Sequence, residues 1–410
     1  MTTARLGAPA GRAAQATAQR VALLQRPLAS YYLVAVSTGL LLAIGLVMVL
    51  SASSVRSYST YGSSYAIALK QGIFIAVGLP LMWLASRTPV RVWRVLAVPV
   101  LLAAIGLLVL VLVPGIGRDV DGARRWIPAP GGFNLQPSEI AKLGLVLWGS
   151  DLLVRKKKLL GDWKHLVVPL VPVVGLLALL VMLEPDMGTT IVVMSILMAL
   201  LWVVGAPFRV FAVLLSSALT LGALLAVAEP YRLRRLTSFL DPCAVHQRLH
   251  EGYQACQGLQ AMTSGGWFGL GLGASREKWA GGLPNPYTDF VYAIVGEELG
   301  LLGTLTVLLL FATLTYAGFR IAKRTKDPFA RLAAAGITVW IAVQALVNIA
   351  TVVGLLPITG IPLPLISFGG SALVQTLIAL GLLLSFARAE PGAEAALRQQ
   401  KGRVRALLRR

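Results

Sequence analysis

Residues Leu33–Ser51 read LVAVSTGLLLAIGLVMVLS, nineteen positions without a single charged side chain. As a helix rising about 1.5 Å per residue, this stretch covers the roughly 30 Å of hydrocarbon in a bilayer. Predominantly apolar runs, some carrying one to three charges, recur at Ile67–Ser86, Val92–Val113, Pro137–Val154, Leu166–Leu183, Thr189–Val204, Phe208–Ala228, Phe290–Phe319, Leu332–Val353 and Ala372–Phe386. Hydrophobic residues make up 57% of the chain and charged residues 13%, against about a quarter charged in soluble domains. The expected fold is an all-α integral membrane protein of about ten transmembrane helices packed as one domain, because helices alone satisfy their own backbone in lipid.

Charge sets the orientation. Ten spans leave both termini on one side, and the basic runs Arg87–Arg94, Arg155–Lys158, Arg320–Arg331 and Arg388–Arg410 fall on that side together with the N-terminal arginines. Positive residues stay inside, so both termini are expected to be cytoplasmic. The organisation that follows is a basic arm (1–30), a transmembrane domain (31–388) and a basic tail (389–410). A large extracytoplasmic loop, 229–289, lies between helices 7 and 8 and includes a short helix at Gln254–Met262. The net charge of +20 is therefore read as topology and attraction to anionic lipid, not as nucleic-acid binding. No His/Cys cluster suggests a metal site. Cys243 and Cys256, in the outer loop, form either a disulfide or two inert thiols.

The outer segments hold the residues suited to chemistry. Asp289 ends Leu283-Pro284-Asn285-Pro286-Tyr287-Thr288-Asp289, where a proline-stiffened loop re-enters the membrane. A carboxylate there can take a proton from a hydroxyl while a lipid tail stays in the bilayer, or simply favour the start of a helix. Arg118, Arg124, Arg125, Arg232, Arg234, Arg235, Arg276 and Lys278 break the positive-inside pattern, and phosphate oxygens are one reason for outward cations. Trp126 is either an interface anchor or a sugar-stacking surface. Glu139 and Lys142 share a helix face at i, i+3, and Gln344 and Asn348 share another at i, i+4. Each pair either lines a polar cavity or joins helices. Glu297 and Glu298 enter the eighth span about two turns after Asp289. The run Gly269–Gly273 looks like a phosphate loop but lacks the strand–turn–helix setting. These residues alone imply an outer-face site for an anionic, lipid-linked ligand.

The ordered blocks Gly122–Ile127, Gln136–Lys142, Glu184–Thr190, Gly269–Lys278, Leu283–Gly300, Leu356–Gly360 and Ser367–Ser371 resemble the SEDS family, the FtsW/RodA polymerases. The resemblance runs from Ser37 to Phe386 and is more FtsW-like than RodA-like. It implies polymerisation of lipid II into peptidoglycan strands during cell division, with undecaprenyl pyrophosphate released and the anomeric centre inverted. It places the catalytic base at Asp289, matches functionally sensitive positions at Trp126, Glu139 and Lys142, and puts Arg276 and Lys278 in its outer-loop basic motif; together with Arg124, Arg125, Gln344, Asn348 and Ser367 these are the expected substrate-binding residues. It further implies a multi-pass protein of the bacterial cytoplasmic membrane at the septum. Its partners would be a class B penicillin-binding protein, a transpeptidase, and other divisome membrane proteins. The resemblance leaves room for a divalent cation, Mg or Mn. Other readings are a lipid II flippase, a non-catalytic divisome scaffold, and the elongation paralogue. Asn285 and Tyr287 stand where many members carry Glu and His, so no role of those residues transfers.

Overall fold

The computed structural model describes residues 27–120, 123–129, 133–156, 163–228, 241–244, 252–279 and 281–393. The basic arm before residue 27, the tail after 393 and the cations Arg232, Arg234 and Arg235 lie outside them. Eleven helices occur among the described residues: α1 Ala29–Tyr61, α2 Ala66–Arg87, α3 Val90–Leu112, α4 Pro137–Arg155, α5 Trp163–Leu183, α6 Met187–Val204, α7 Phe208–Ala228, α8 Tyr253–Ser264, α9 Val291–Arg324, α10 Pro328–Val352 and α11 Ser371–Arg388. Seven of them (α1, α2, α3, α6, α9, α10 and α11) are long and apolar enough by themselves to cross a membrane. Helix α4 falls short because Glu139, Lys142, Asp151 and Arg155 interrupt its apolar run. Helices nevertheless cover all ten apolar segments, and α8 takes in the expected short helix of the outer loop.

Burial separates the bundle into a centre and a rim. Leu145 and Leu147 of α4, Trp340 of α10 and Phe386 of α11 are fully buried. On the rim, Leu69, Trp83, Val95, Leu102, Leu179, Trp202 and Leu309 are exposed. Water does not favour so much outward-facing apolar surface, and lipid does. Helices approach closely through small residues, as membrane bundles do. A side chain at Gly381 would strike the Met82 carbonyl of α2, and one at Gly144 would stand 3.1 Å from the Leu101 Cα of α3.

Two features depart from the expectation. The fold is not purely helical: Arg118–Val120 (β1), Ala123–Ala129 (β2) and Phe133–Leu135 (β3) form an antiparallel sheet in the order β1-β2-β3. Asp121-Gly122 and Pro130-Gly131-Gly132 carry turn chemistry between short runs, a signal that apolar length does not register. Helix α1 also runs ten positions past Ser51, to Tyr61. Apolar length marks where lipid ends, not where a helix must stop, and Gly62 in the left-handed region closes this one by donating to the Tyr58 carbonyl.

Helix α9 is broken at Gly300, whose φ of 67° and ψ of −162° suit glycine alone. The break leaves backbone groups that the glycine-rich segment 265–273 satisfies. Leu301 N donates to Gly266 O at 2.9 Å, Leu270 N to Glu297 O at 2.9 Å and Gly271 N to Glu298 O at 3.1 Å. The run Gly269–Gly273 therefore braces a broken helix with amides that a phosphate loop would present to its ligand. Replacing Gly300 with Ala is expected to lower the melting temperature in detergent, since the strained φ alone costs on the order of 1–3 kcal/mol. Its Cβ would also collide with the Gly269 amide. An unchanged melting temperature would contradict this account of the break.

Candidate active site

Asp289 occupies the junction between the proline-stiffened loop and α9. Asn285 adopts a left-handed turn, and Thr288 N donates back to the Asn285 carbonyl at 3.2 Å, so the chain is folded tightly before it enters the helix. The Thr288 hydroxyl donates to Asp289 Oδ1 at 2.8 Å. The Asp289 backbone carbonyl accepts from Asn348 Nδ2 of α10 at 2.7 Å, and the same amide group donates to Ile361 O at 2.8 Å. Asn348 thus joins three segments and fixes where the carboxylate sits. Burial raises the Asp289 carboxyl above its ordinary range, with the Thr288 bond, a backbone bond and the Arg125 charge opposing.

The segment 354–370 closes one side of this junction. Ser367 Oγ accepts from Leu363 N at 2.8 Å, and Gln71 of α2 donates to Ser367 O at 3.3 Å. Phe368 N donates to Tyr287 O at 2.9 Å, and the two rings meet edge-on with centroids 5.9 Å apart. The Arg56 guanidinium near the end of α1 acts on the Tyr287 phenol, whose pKa burial raises. Arg56 was not singled out in the sequence; it lies on the part of α1 that continues past Ser51.

Strand β2 brings the other cations. Asp119 pairs with Arg124 and Arg118 with Trp126, so a bulge at Arg125 breaks the simple alternation of faces along β2. Arg124 is exposed, 3.8 Å from Asp119. Trp126 is half-buried and pairs across the strand with Arg118. Arg125 Nε donates to Glu184 O at 3.0 Å, and its terminal nitrogen donates to Pro185 O. Its charge reaches Asp289 on one side and Glu184 on the other. Glu184 was not singled out in the sequence. It is fully buried, and burial, reinforced by the Asp186 charge and partly opposed by Arg125, pushes its carboxyl up to about 8.

The remaining candidates form two further clusters. Glu139, Lys142 and Gln344 lie together in the bundle centre, fully buried. Lys142 Nζ donates to Glu139 Oε1 at 2.7 Å and to Gln344 Oε1 at 2.9 Å, and stands 4.9 Å from the centre of the Trp340 ring. Gln344 Nε2 donates to Pro362 O at 3.2 Å, next to the Ile361 carbonyl held by Asn348. One turn of α10 therefore links the buried ion pair to the segment beside Asp289. Arg276 and Lys278 belong with Glu297 and Glu298. Glu297 accepts from Ser275 Oγ at 2.6 Å and Arg276 N at 2.7 Å, and Glu298 accepts from Ser51 Oγ at 2.6 Å. Lys278 is buried 3.4 Å from Glu298, whereas Arg276 is exposed. Cys243 and Cys256 are joined by a disulfide. Among the described residues no three His, Cys, Asp or Glu side chains gather as a dedicated cage for a divalent cation.

A sequence profile for the cell cycle protein family FtsW/RodA/SpoVE matches residues 31–391. The chain belongs to this family. Within it, the chain is 44% identical to the probable peptidoglycan glycosyltransferase FtsW of Mycobacterium tuberculosis, over 95% of this chain and 74% of that one. It is 39% identical to stage V sporulation protein E of Bacillus subtilis, over 87% and 96%. Among solved structures, one chain of a peptidoglycan synthase complex aligns with a TM-score of 0.70 and 28% identity, over 88% of this chain and 98% of that one. The rod shape determining protein RodA of Thermus thermophilus aligns with a TM-score of 0.64 and 28% identity, over 88% and 97%. The profile match, residues 31–391, includes all three clusters.

Proposed function

We propose that this FtsW/RodA/SpoVE protein is a peptidoglycan glycosyltransferase that polymerises lipid II on the outer side of the bacterial cytoplasmic membrane. The observation that carries the mechanism is Asp289, fixed at a loop–helix junction by Thr288 and Asn348 and facing the Arg125 charge. The Asp289 carboxylate takes the proton from the 4-hydroxyl of the GlcNAc on an acceptor lipid II. That oxygen bonds to the anomeric carbon of the donor strand's MurNAc as the bond to pyrophosphate breaks. The electron pair leaves with undecaprenyl pyrophosphate, and the configuration inverts. Arg124, Arg125 and Arg276 offset the charge that develops on the pyrophosphate. Lys278 is engaged by Glu298, and so holds the loop that presents Arg276. The Glu139–Lys142–Gln344 group braces α4 against α10 behind the site.

Ten membrane crossings with cytoplasmic termini put Asp289 outside, in agreement with the ten helices that cover apolar segments and the inward bias of Lys and Arg. The proposed partner is a class B penicillin-binding protein that crosslinks the new strands, and the proposed place is the division septum. The FtsW relatives favour division over elongation. A transporter that flips lipid II would use an amphiphile-binding site but break no glycosidic bond. A scaffold would need neither. The test is to incubate the purified protein with lipid II and follow undecaprenyl pyrophosphate. Release in step with glycan growth is expected; lipid II consumption without pyrophosphate release would defeat the proposal.

A further inference from the structure

Glu184 lies between α5 and α6, on the side of the molecule that carries Asp289, and it is fully buried. Neither of its carboxyl oxygens has a hydrogen-bond partner among the described residues. The charged groups acting on it are Asp186, two residues on, and Arg125 from β2. Asp186 is committed to capping α6, accepting from Thr189 N at 2.9 Å and from the Thr189 hydroxyl at 2.8 Å. Among the described residues Arg125 donates only to main-chain carbonyls, those of Glu184 and Pro185. A buried, unbonded carboxylate beside the Asp186 carboxylate and an arginine tied to carbonyls would be a poorly compensated charge.

We infer that Glu184 is a positioning residue that stands as the neutral acid and thereby leaves the Arg125 charge facing Asp289 and the phosphates of the substrate. Were Glu184 ionised, its carboxylate would claim the Arg125 guanidinium and cancel that charge. Neutral Glu184 leaves it available for a developing anion. The inference rests on Asp289 being the base. Its consequence is an alkaline limb of activity that belongs to Glu184, whose carboxyl is pushed up to about 8.

Two measurements test it. In infrared difference spectra of the purified protein, taken across a pH step from about 6 to 9, Glu184 should lose the C=O band of a protonated carboxylic acid. Glu184→Gln should lack the Glu184 component of that band and keep any share from Asp289, whose carboxyl burial also raises. In lipid II polymerisation, the ratio of wild-type to Glu184→Gln rates should fall about tenfold between pH 7 and 9, as a group titrating near 8 loses its proton. A band of undiminished amplitude in Glu184→Gln, or a rate ratio that stays flat, would overturn the inference. If neither protein polymerises while the band is present and absent as stated, Glu184 is the neutral acid and the failure lies in the proposed activity. Glu184→Gln keeps the size and hydrogen-bonding capacity of the neutral acid, and a matching melting curve shows that it folds.

Discussion

Replacing Asp289 with Asn is expected to slow polymerisation of lipid II by about 10²–10⁴-fold, the usual loss when a general base is removed. The amide keeps the size of the side chain, and its oxygen can still accept from Thr288, which bonds Oδ1 at 2.8 Å. Asn348 holds the backbone carbonyl of this residue, which the substitution leaves in place. The protein should therefore fold and bind substrate while losing the step that needs a proton acceptor. The pH dependence fixes the sign. Burial raises the Asp289 carboxyl, and only the carboxylate can accept a proton. Activity must then climb with pH through that raised range. A rate–pH profile of wild type should show this acidic limb, and any residual activity of Asp289→Asn should lack it.

Replacing Lys142 with Met should cost about 3–5 kcal/mol of stability, the usual penalty for removing one partner of a buried ion pair. Lys142 and Glu139 are both fully buried and 2.7 Å apart, so the loss leaves a buried carboxylate without its cation. Glu139 Oε2 already lacks a partner among the described residues, which makes the site less able to absorb the change. The Gln344 carbonyl oxygen would keep Trp340 Nε1, 2.9 Å away, but lose Lys142. The double change Glu139→Gln with Lys142→Met removes both charges and should recover a large part of the loss. Chemical unfolding in detergent would measure both. Equal destabilisation by the single and double variants would contradict a paired role.

The fold and the site were legible to different depths. Helix positions followed from apolar length, since a run as long as Val92–Val113 has few alternatives in lipid. Asp289 was legible because prolines and a span boundary flank it in the sequence itself. The small sheet was missed because a reading driven by apolar length passes over turn signals as short as Asp121-Gly122. Lys278 read as an outward cation, yet it is buried against Glu298, twenty positions away, where only the broken α9 and the glycine-rich loop bring the two together. Arg125 shows the same limit. Its neighbours are the carbonyls of Glu184 and Pro185, about sixty positions on, and no local spacing announces them.

The most direct test of the central claim places lipid II and the purified wild-type protein in vesicles, with and without its transpeptidase partner, and reads both glycan polymer and lipid II movement from one preparation. Polymer accumulating in at least one of the two conditions is the predicted result. Lipid II crossing the vesicle with no polymer in either, from protein shown to be folded, would contradict it.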